Sequence, residues 1–375
     1  MRRVLKWLHL WVGLSIGLVF AMLGLTGTLL AYQPELLAAR SEFAGLEQVA
    51  RADAKVLALL QADSRGVSSA EPPRPGLPVW QAYAKDGLRL YLHPGDGRVL
   101  LERSIRSDTV LWLRDLHVHL LAGKQGEAVL GICGIGMLFL LLSGVYLWWP
   151  RPGAWLESLR WHTQPPLRRW LSWHRSLGAL ALPLLLLLAA TGTLMVYDGF
   201  SRASLGWLFG DSGAVKAPPP LKPEPGRAID WDAVISAAQA ALPQAELRRV
   251  SLPRADNALI SVRARMPGEW HPVGRSMVWL DPYQAKVLAV MDATRQGAGT
   301  RANYAVYPLH MGGGLGEGYR TLVAFGGLLP VLLLVTGFLF WRRRKWPGGE
   351  PSAGAWPQKK PSPTSAFTRL GERVG

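Results

Sequence analysis

The sequence predicts a membrane α+β protein: a four-transmembrane-helix bundle with an internal duplication, carrying two small α+β modules outside the bilayer. Three observations predict it. Four apolar runs, about Leu8 to Ala31, Ala128 to Trp149, Leu177 to Val196 and Leu322 to Trp341, each approach the roughly 20 residues that cross a hydrocarbon layer about 30 Å thick. The pattern His9-Leu-Trp-Val-Gly13, Thr26-Gly27-Thr28, Tyr32 returns 165 residues later, without a gap, as His174-Arg-Ser-Leu-Gly178, Thr191-Gly192-Thr193, Tyr197. Leu116-His117 stands 27 residues ahead of Ser143-Gly144, and Leu309-His310 stands 27 ahead of Thr336-Gly337.

The first run, within residues 1–32, follows the basic start Met1-Arg-Arg-Val-Leu-Lys6 and so resembles a secretory signal. Its core is too long, no small-residue cleavage site follows, and its counterpart lies in mid-chain, so it is expected to be an uncleaved anchor. Residues 33–115 read as a module: a helix over Leu46 to Ala62, a Pro-rich turn at Glu71 to Pro78, then strand, turn and strand from Arg89 to Leu100 with His93 in the turn. The second transmembrane helix covers 116–149, a short connection 150–170, and the third 171–197. Residues 198–308 repeat the modular plan after a Pro-rich linker at 211–227: a helix over Ile229 to Leu242, alternation from Glu246 to Arg265, and a hairpin from Val278 to Leu288 with Asp281 at the place of His93. The fourth span with its lead-in covers 309–345, and the Pro, Ser and Gly-rich tail 346–375 is expected to be disordered.

Orientation follows from the short flanks. Arg2, Arg3 and Lys6, then Arg151, Arg160, Arg168 and Arg169, then Arg342 to Lys345 all fall on one side, which the charge bias makes cytoplasmic. Both termini are therefore expected inside and both long segments outside, so the formal charge of +16 is explained by topology without nucleic acid. Many of the 17 tryptophans, among them Trp7, Trp148 and Trp341, fall where helices meet headgroups. The single cysteine, Cys133, lies inside a span and excludes both an internal disulfide and covalent Cys-x-x-Cys-His haem attachment. Gly131-Ile-Cys-Gly-Ile-Gly136 follows no strand and is no nucleotide loop.

The two hairpins, the histidine-bearing helices and the Thr-Gly-Thr and Ser/Thr-Gly motifs together resemble the PepSY-associated transmembrane family over the chain up to about residue 346. Within it the resemblance is nearest to the FoxB-like, iron-regulated ferric-siderophore reductases of Gram-negative inner membranes. That resemblance implies PepSY-like outer modules in the periplasm, an oxidoreductase activity and a ferric siderophore, of the hydroxamate type, as electron acceptor.

Of eight histidines, the repeat selects His9 with His174 at one membrane border and His117 with His310 at the other. Two neutral imidazoles from facing helices are a common non-covalent seat for haem iron, so a bis-histidine haem b is expected at each pole. Gly27 and Gly192 are expected beside the outer haem, and Gly144 and Gly337 beside the inner one. Close helix packing explains these glycines equally well. His119 lies on the opposite helix face from His117; His93 and His271 are expected at the surface of the outer modules and His162 in the inner connection, none with a ligand role. Arg103, Arg106, Arg114, Arg301 and Arg320 offer outer cations, and Trp11, Tyr32, Tyr146 and Tyr197 are candidate electron-transfer intermediates. Without a flavin or NAD fingerprint, electrons must come from a separate cytoplasmic or membrane donor. The competing expectation is a non-enzymatic metal-ion permease or metal-binding scaffold, in which the imidazoles hold zinc, copper or iron directly.

Overall fold

Apolar sequence free of breaks builds α1 (Arg2–Leu30), the first of four membrane-length helical segments. The others are α5 (Gly123–Trp148), α7 (Pro166–Val196) and the near-continuous pair α11 (Glu317–Gly326) and α12 (Leu329–Lys345). A helix satisfies its own backbone donors and acceptors, which hydrocarbon demands, and the chain is a multi-pass membrane protein. The computed structural model describes residues 1–211 and 215–346. The expected disordered tail from Pro347, and residues 212–214 of the expected linker, lie outside the described residues.

The four segments pack in the cyclic order α1, α5, α7, α12 around Met137, Leu141, Ala181, Leu185 and Ala189. Two crossings are close enough to require glycine. A Cβ on Gly24 would lie 2.1 Å from the carbonyl oxygen of Gly327, and one on Gly134 would lie 2.3 Å from Thr193 Oγ1. Small residues of this kind let helices approach where apolar burial offers no preference between partner and lipid.

Outside the bundle, eight strands form one sheet in the order β4-β3-β2-β1-β5-β6-β7-β8, antiparallel at every step. They are β1 (Ser69–Glu71), β2 (Trp80–Tyr83), β3 (Arg89–Leu92), β4 (Val99–Arg103), β5 (Glu246–Ser251), β6 (Ile260–Arg265), β7 (Ser276–Asp281) and β8 (Lys286–Met291). The two expected modules are thus halves of a single sheet, joined where β1 pairs β5 through Ser69↔Ser251 and Ala70↔Val250. An edge strand left bare exposes unpaired donors and acceptors, and the seam removes one such edge from each half. One face is covered by α3 (Asp53–Gln61) and α9 (Trp231–Ala241), which bury Val56, Leu57, Leu60 and Val234 against Trp80, Leu90, Ile260, Val262 and Leu280. α3 is shorter than the helix expected over Leu46 to Ala62, since the chain stays irregular up to Ala52. The hairpin turns are built alike: His93 Nδ1 accepts the N–H of Gly95 and Asp96, and Asp281 Oδ1 accepts those of Tyr283 and Gln284.

The remaining helices are α2 (Gln33–Ala38), α4 (Thr109–His119), α6 (Trp155–Ser158), α8 (Asp198–Phe209) and α10 (Ala298–Met311). Two of them correct the expected spans. Residues 116–149 do not form one helix: Leu120 and Leu121 take φ +49° and +60°, and α5 starts afresh at Gly123. There α5 passes so close to α4 that a Cβ on Gly126 would lie 1.6 Å from the His119 carbonyl oxygen. Residues 309–345 break likewise at Gly312, Gly314 and Gly316, with φ +82°, +84° and +84°. His117 and His310 therefore sit on separate helices, α4 and α10, that lead into the spans.

Candidate functional site

The structure brings the four repeat-selected histidines together as two pairs. His9 on α1 faces His174 on α7 with ring centres 6.3 Å apart and ring planes at 85°. His117 on α4 faces His310 on α10, again at 6.3 Å, with planes at 54°. An imidazole nitrogen lies about 1.1 Å from its ring centre and binds a metal at about 2.0–2.1 Å, so two rings sharing one ion are spaced by about 6.2–6.4 Å. Both pairs have that spacing.

Hydrogen bonding fixes which nitrogen is free. His9 Nδ1 lies 2.8 Å from Ser143 Oγ, and His117 Nδ1 lies 2.9 Å from Thr26 Oγ1. His174 Nδ1 lies 3.0 Å from the Leu333 carbonyl and 3.3 Å from Thr336 Oγ1. His310 Nδ1 lies 3.1 Å from both the Leu188 carbonyl and Thr191 Oγ1. Carbonyls only accept, and each of the four hydroxyls already donates to a carbonyl one turn back on its own helix. Nδ1–H is therefore the donor in every ring, and Nε2 keeps its lone pair. Metal-ligating histidines are held in this way, with the non-ligating N–H tied to an acceptor that sets tautomer and ring orientation.

The glycines of the same motifs lie against the rings. A Cβ would stand 3.1 Å from His117 Cε1 at Gly27, 3.0 Å from His310 Cε1 at Gly192, 3.4 Å from His9 Cε1 at Gly144 and 3.2 Å from His174 Cε1 at Gly337. Each Ser/Thr-Gly dipeptide thus has two jobs: the hydroxyl accepts from Nδ1 and the glycine admits the ring. Sequence reasoning quoted these dipeptides but missed Thr26, Ser143, Thr191 and Thr336 as partners of the histidines. Their recurrence at fixed distances from each histidine was the available signal.

The fit to porphyrin iron rests on the donor set, two imidazoles with Nε2 free whose ring centres have the separation of rings that share an ion. Among the described residues, no group of three or more His, Cys, Asp or Glu gathers to hold a bare ion, whereas structural zinc almost always takes four protein ligands. The two pairs stand at different depths of one bundle: Thr26, which touches His117, lies 17 residues beyond His9 on α1, about 25 Å along the helix.

The other histidines are placed elsewhere. His119 Nδ1 pairs with Asp115 at 2.8 Å. His162, whose Nδ1 is buried without a partner, lines a cavity of about 380 Å³ with Arg151, Arg160, Arg168 and Arg175 at the end of the bundle away from the sheet. His271 was expected at the surface but is buried beneath the sheet, with its ring 5.1 Å from that of Tyr307. Burial first, then Arg275, Arg263, Arg249 and Arg265, lower its pKa to about 3, so it is neutral at physiological pH.

Of the expected outer cations, Arg103 is fully committed. It is buried against Asp108 at 2.7 Å and donates to Tyr91 Oη, and Asp108 also caps α4 through the Leu111 N–H. Arg320 pairs with Glu35 and Glu317. Arg114 stands one turn before His117. Tyr32 lies under the Arg320 guanidinium, and Tyr197 packs where a Cβ on Gly131 would be.

No curated protein matches the chain. The model of the PepSY-associated TM region matches residues 6–344, and with the bundle, its paired histidines and the outer sheet lying inside that stretch, the chain belongs to this family.

Proposed function

We propose that the chain is an inner-membrane, haem-bearing reductase that passes electrons across the bilayer to ferric siderophores, so that Fe(II) is released for uptake. The observation that carries this reading is the pair of imidazole couples, each at 6.3 Å with Nδ1 tied and Nε2 free, at two depths of the same bundle. When bound, haem supplies a one-electron couple at each depth. The chain's residues do the rest: His9, His174, His117 and His310 would hold the iron through their Nε2 atoms, the four hydroxyls fix their tautomer, and the glycines leave room for the rings. The short basic flanks put the His9–His174 end in the cytoplasm and the sheet in the periplasm. Hard oxygen donors grip Fe(III) more tightly than Fe(II), which makes reduction a release step. Electrons enter from a separate cytoplasmic or membrane donor.

The rival, a metal-ion permease or scaffold, needs a bare-ion site, and two imidazoles per depth fall short of the four protein ligands that structural zinc takes. The discriminating experiment is the visible spectrum and haem count of the purified protein. Two low-spin haems per chain are expected, and the dithionite-reduced protein should reoxidise on adding a ferric siderophore while an Fe(II) trap colours. A colourless protein carrying stoichiometric zinc or copper would reverse the conclusion in favour of the rival.

A further inference from the structure

On the sheet face turned away from α3 and α9, an apolar patch around Tyr91 and Phe43 lies beside a strongly cationic region. Strand alternation puts Tyr83, Arg89, Arg249 and Arg263 on it, and register sets Arg89 beside Tyr83 and Arg249 beside Arg263. This face overlies α4 and α10. Tyr304 Oη reaches Met291 Sδ at 3.9 Å, the Arg275 guanidinium stands over the Tyr304 ring at 5.6 Å, and His271 lies against Tyr307. Arg114 rises toward it from α4 one turn before His117, and Tyr307 from α10 one turn before His310.

The cations of this basin are unmatched. Among the described residues, Arg89, Arg114, Arg263 and Arg275 take part in no ion pair, and Arg275 Nε is buried without a partner. The acids at hand are already engaged. Glu71 accepts from Arg249, Arg74 and Tyr83, and Glu269 accepts from the N–H groups of Met266 and Arg275 and the Ser276 hydroxyl. Arg89, Arg263 and Arg275 are half-buried and Arg114 is exposed beside them; guanidiniums crowded together without counter-charge are costly unless an anion joins them, and their planar forks match carboxylates in bidentate fashion.

From this we infer that the basin between the sheet and helices α4 and α10 binds a polycarboxylate ferric chelate, so that the acceptor is an anion held one helical turn above the His117–His310 pair. The inference rests on the reductase reading for the word ferric, and on the basin alone for the word anion. It turns the acceptor class away from neutral or cationic hydroxamate complexes.

The test uses redox-silent gallium. Ga(III)–citrate and neutral Ga(III) tris(acetohydroxamate) are titrated calorimetrically into the full-length protein in detergent. Citrate should bind, weakening with salt, and the hydroxamate should not. Arg263→Gln and Arg275→Gln should each weaken citrate by at least about tenfold at unchanged haem content, with Arg263→Lys recovering part of the loss. Equal binding of both chelates, or unaltered citrate affinity in both Gln variants, overturns the inference. So does loss of haem from the Gln variants with citrate binding intact, which assigns the guanidiniums to porphyrin carboxylates instead. A colourless protein that binds Ga(III)–citrate sinks the reductase reading alone. A haem-replete protein indifferent to it sinks this inference alone.

Discussion

Adding one methyl group at Gly192, and separately at Gly144, tests whether the glycines exist to admit the histidine rings. The alanine Cβ at 192 would stand 3.0 Å from His310 Cε1 and 3.5 Å from its Nδ1, whereas at 144 it meets His9 Cε1 at 3.4 Å and nothing closer. Ordinary contact begins near the second value, so the His310 ring must retreat by about 0.4 Å while still held by Leu188 and Thr191. Forcing a methyl into a packed site costs about 1–3 kcal/mol, which is roughly 5- to 150-fold in affinity for whatever the ring ligates. The backbone should not suffer, because alanine is favoured over glycine in a helix by up to about 1 kcal/mol. Haem retained per chain after purification, and haem uptake by protein made in haem-starved cells, read the difference. Gly192→Ala should lose one haem selectively, and Gly144→Ala should keep both within about twofold of wild type. Equal losses in the two variants, or none in Gly192→Ala, would refute the argument.

Alanine at His9 or His174 should remove one haem and spare the other, with the opposite haem lost in His117→Ala or His310→Ala; four variants with full haem content would end the ligand assignment. Among the hydroxyls, Ser143→Ala and Thr26→Ala should have the largest effects, about tenfold or more in haem affinity, because His9 and His117 donate to these hydroxyls. Thr191→Ala and Thr336→Ala leave the Leu188 and Leu333 carbonyls in place and should cost less. Asp108→Asn breaks a buried pair and should destabilise the outer part by about 3–5 kcal/mol, read as a lowered melting temperature; an unchanged melt contradicts the assigned role. Acid should act at the same place. Burial alone would raise the carboxyls of Asp108 and Glu71, but Arg103 and the Leu111 N–H outweigh it for the first, and Arg249 and Arg74 for the second, so both pKa values fall below the ordinary range. Folded values below unfolded ones mean that this stabilisation is complete above about pH 4 and drains away as pH drops through the folded values; tryptophan-fluorescence melts from pH 7 to pH 3 that stay level would contradict it.

Much of the architecture was readable because membrane spans and hairpins are written locally. A run of some 20 apolar residues and an alternating segment with a Pro-Gly or Asp-Pro turn both announce themselves within one window. The partner of each histidine was readable for a different reason, the repeat, which matches His9 with His174 and His117 with His310. Three features were not legible. β1 is only three residues long and ends at Glu71, inside what reads as a Pro-rich turn, and its strand character comes from neighbours on both sides. The break at Leu120–Leu121 carries no Gly or Pro, since the left-handed pair is imposed by the close passage of α5 beneath His119. The cationic basin is assembled from Arg89, Arg114, Arg263 and Arg275, scattered over β3, α4, β6 and the loop before β7, and only the joined sheet gathers them.

The seam between β1 and β5 has a consequence for biogenesis. The ribosome delivers β1 long before β5, with two membrane crossings between them, so on the proposed topology the first half must wait across the bilayer with a bare strand flank until residues 246–251 arrive. Exposed flanks of that kind invite wrong partners. A chain truncated after α7 should therefore be found self-associated or degraded, and its rescue by co-expressing the missing half would show that closure of the sheet is the last step of assembly.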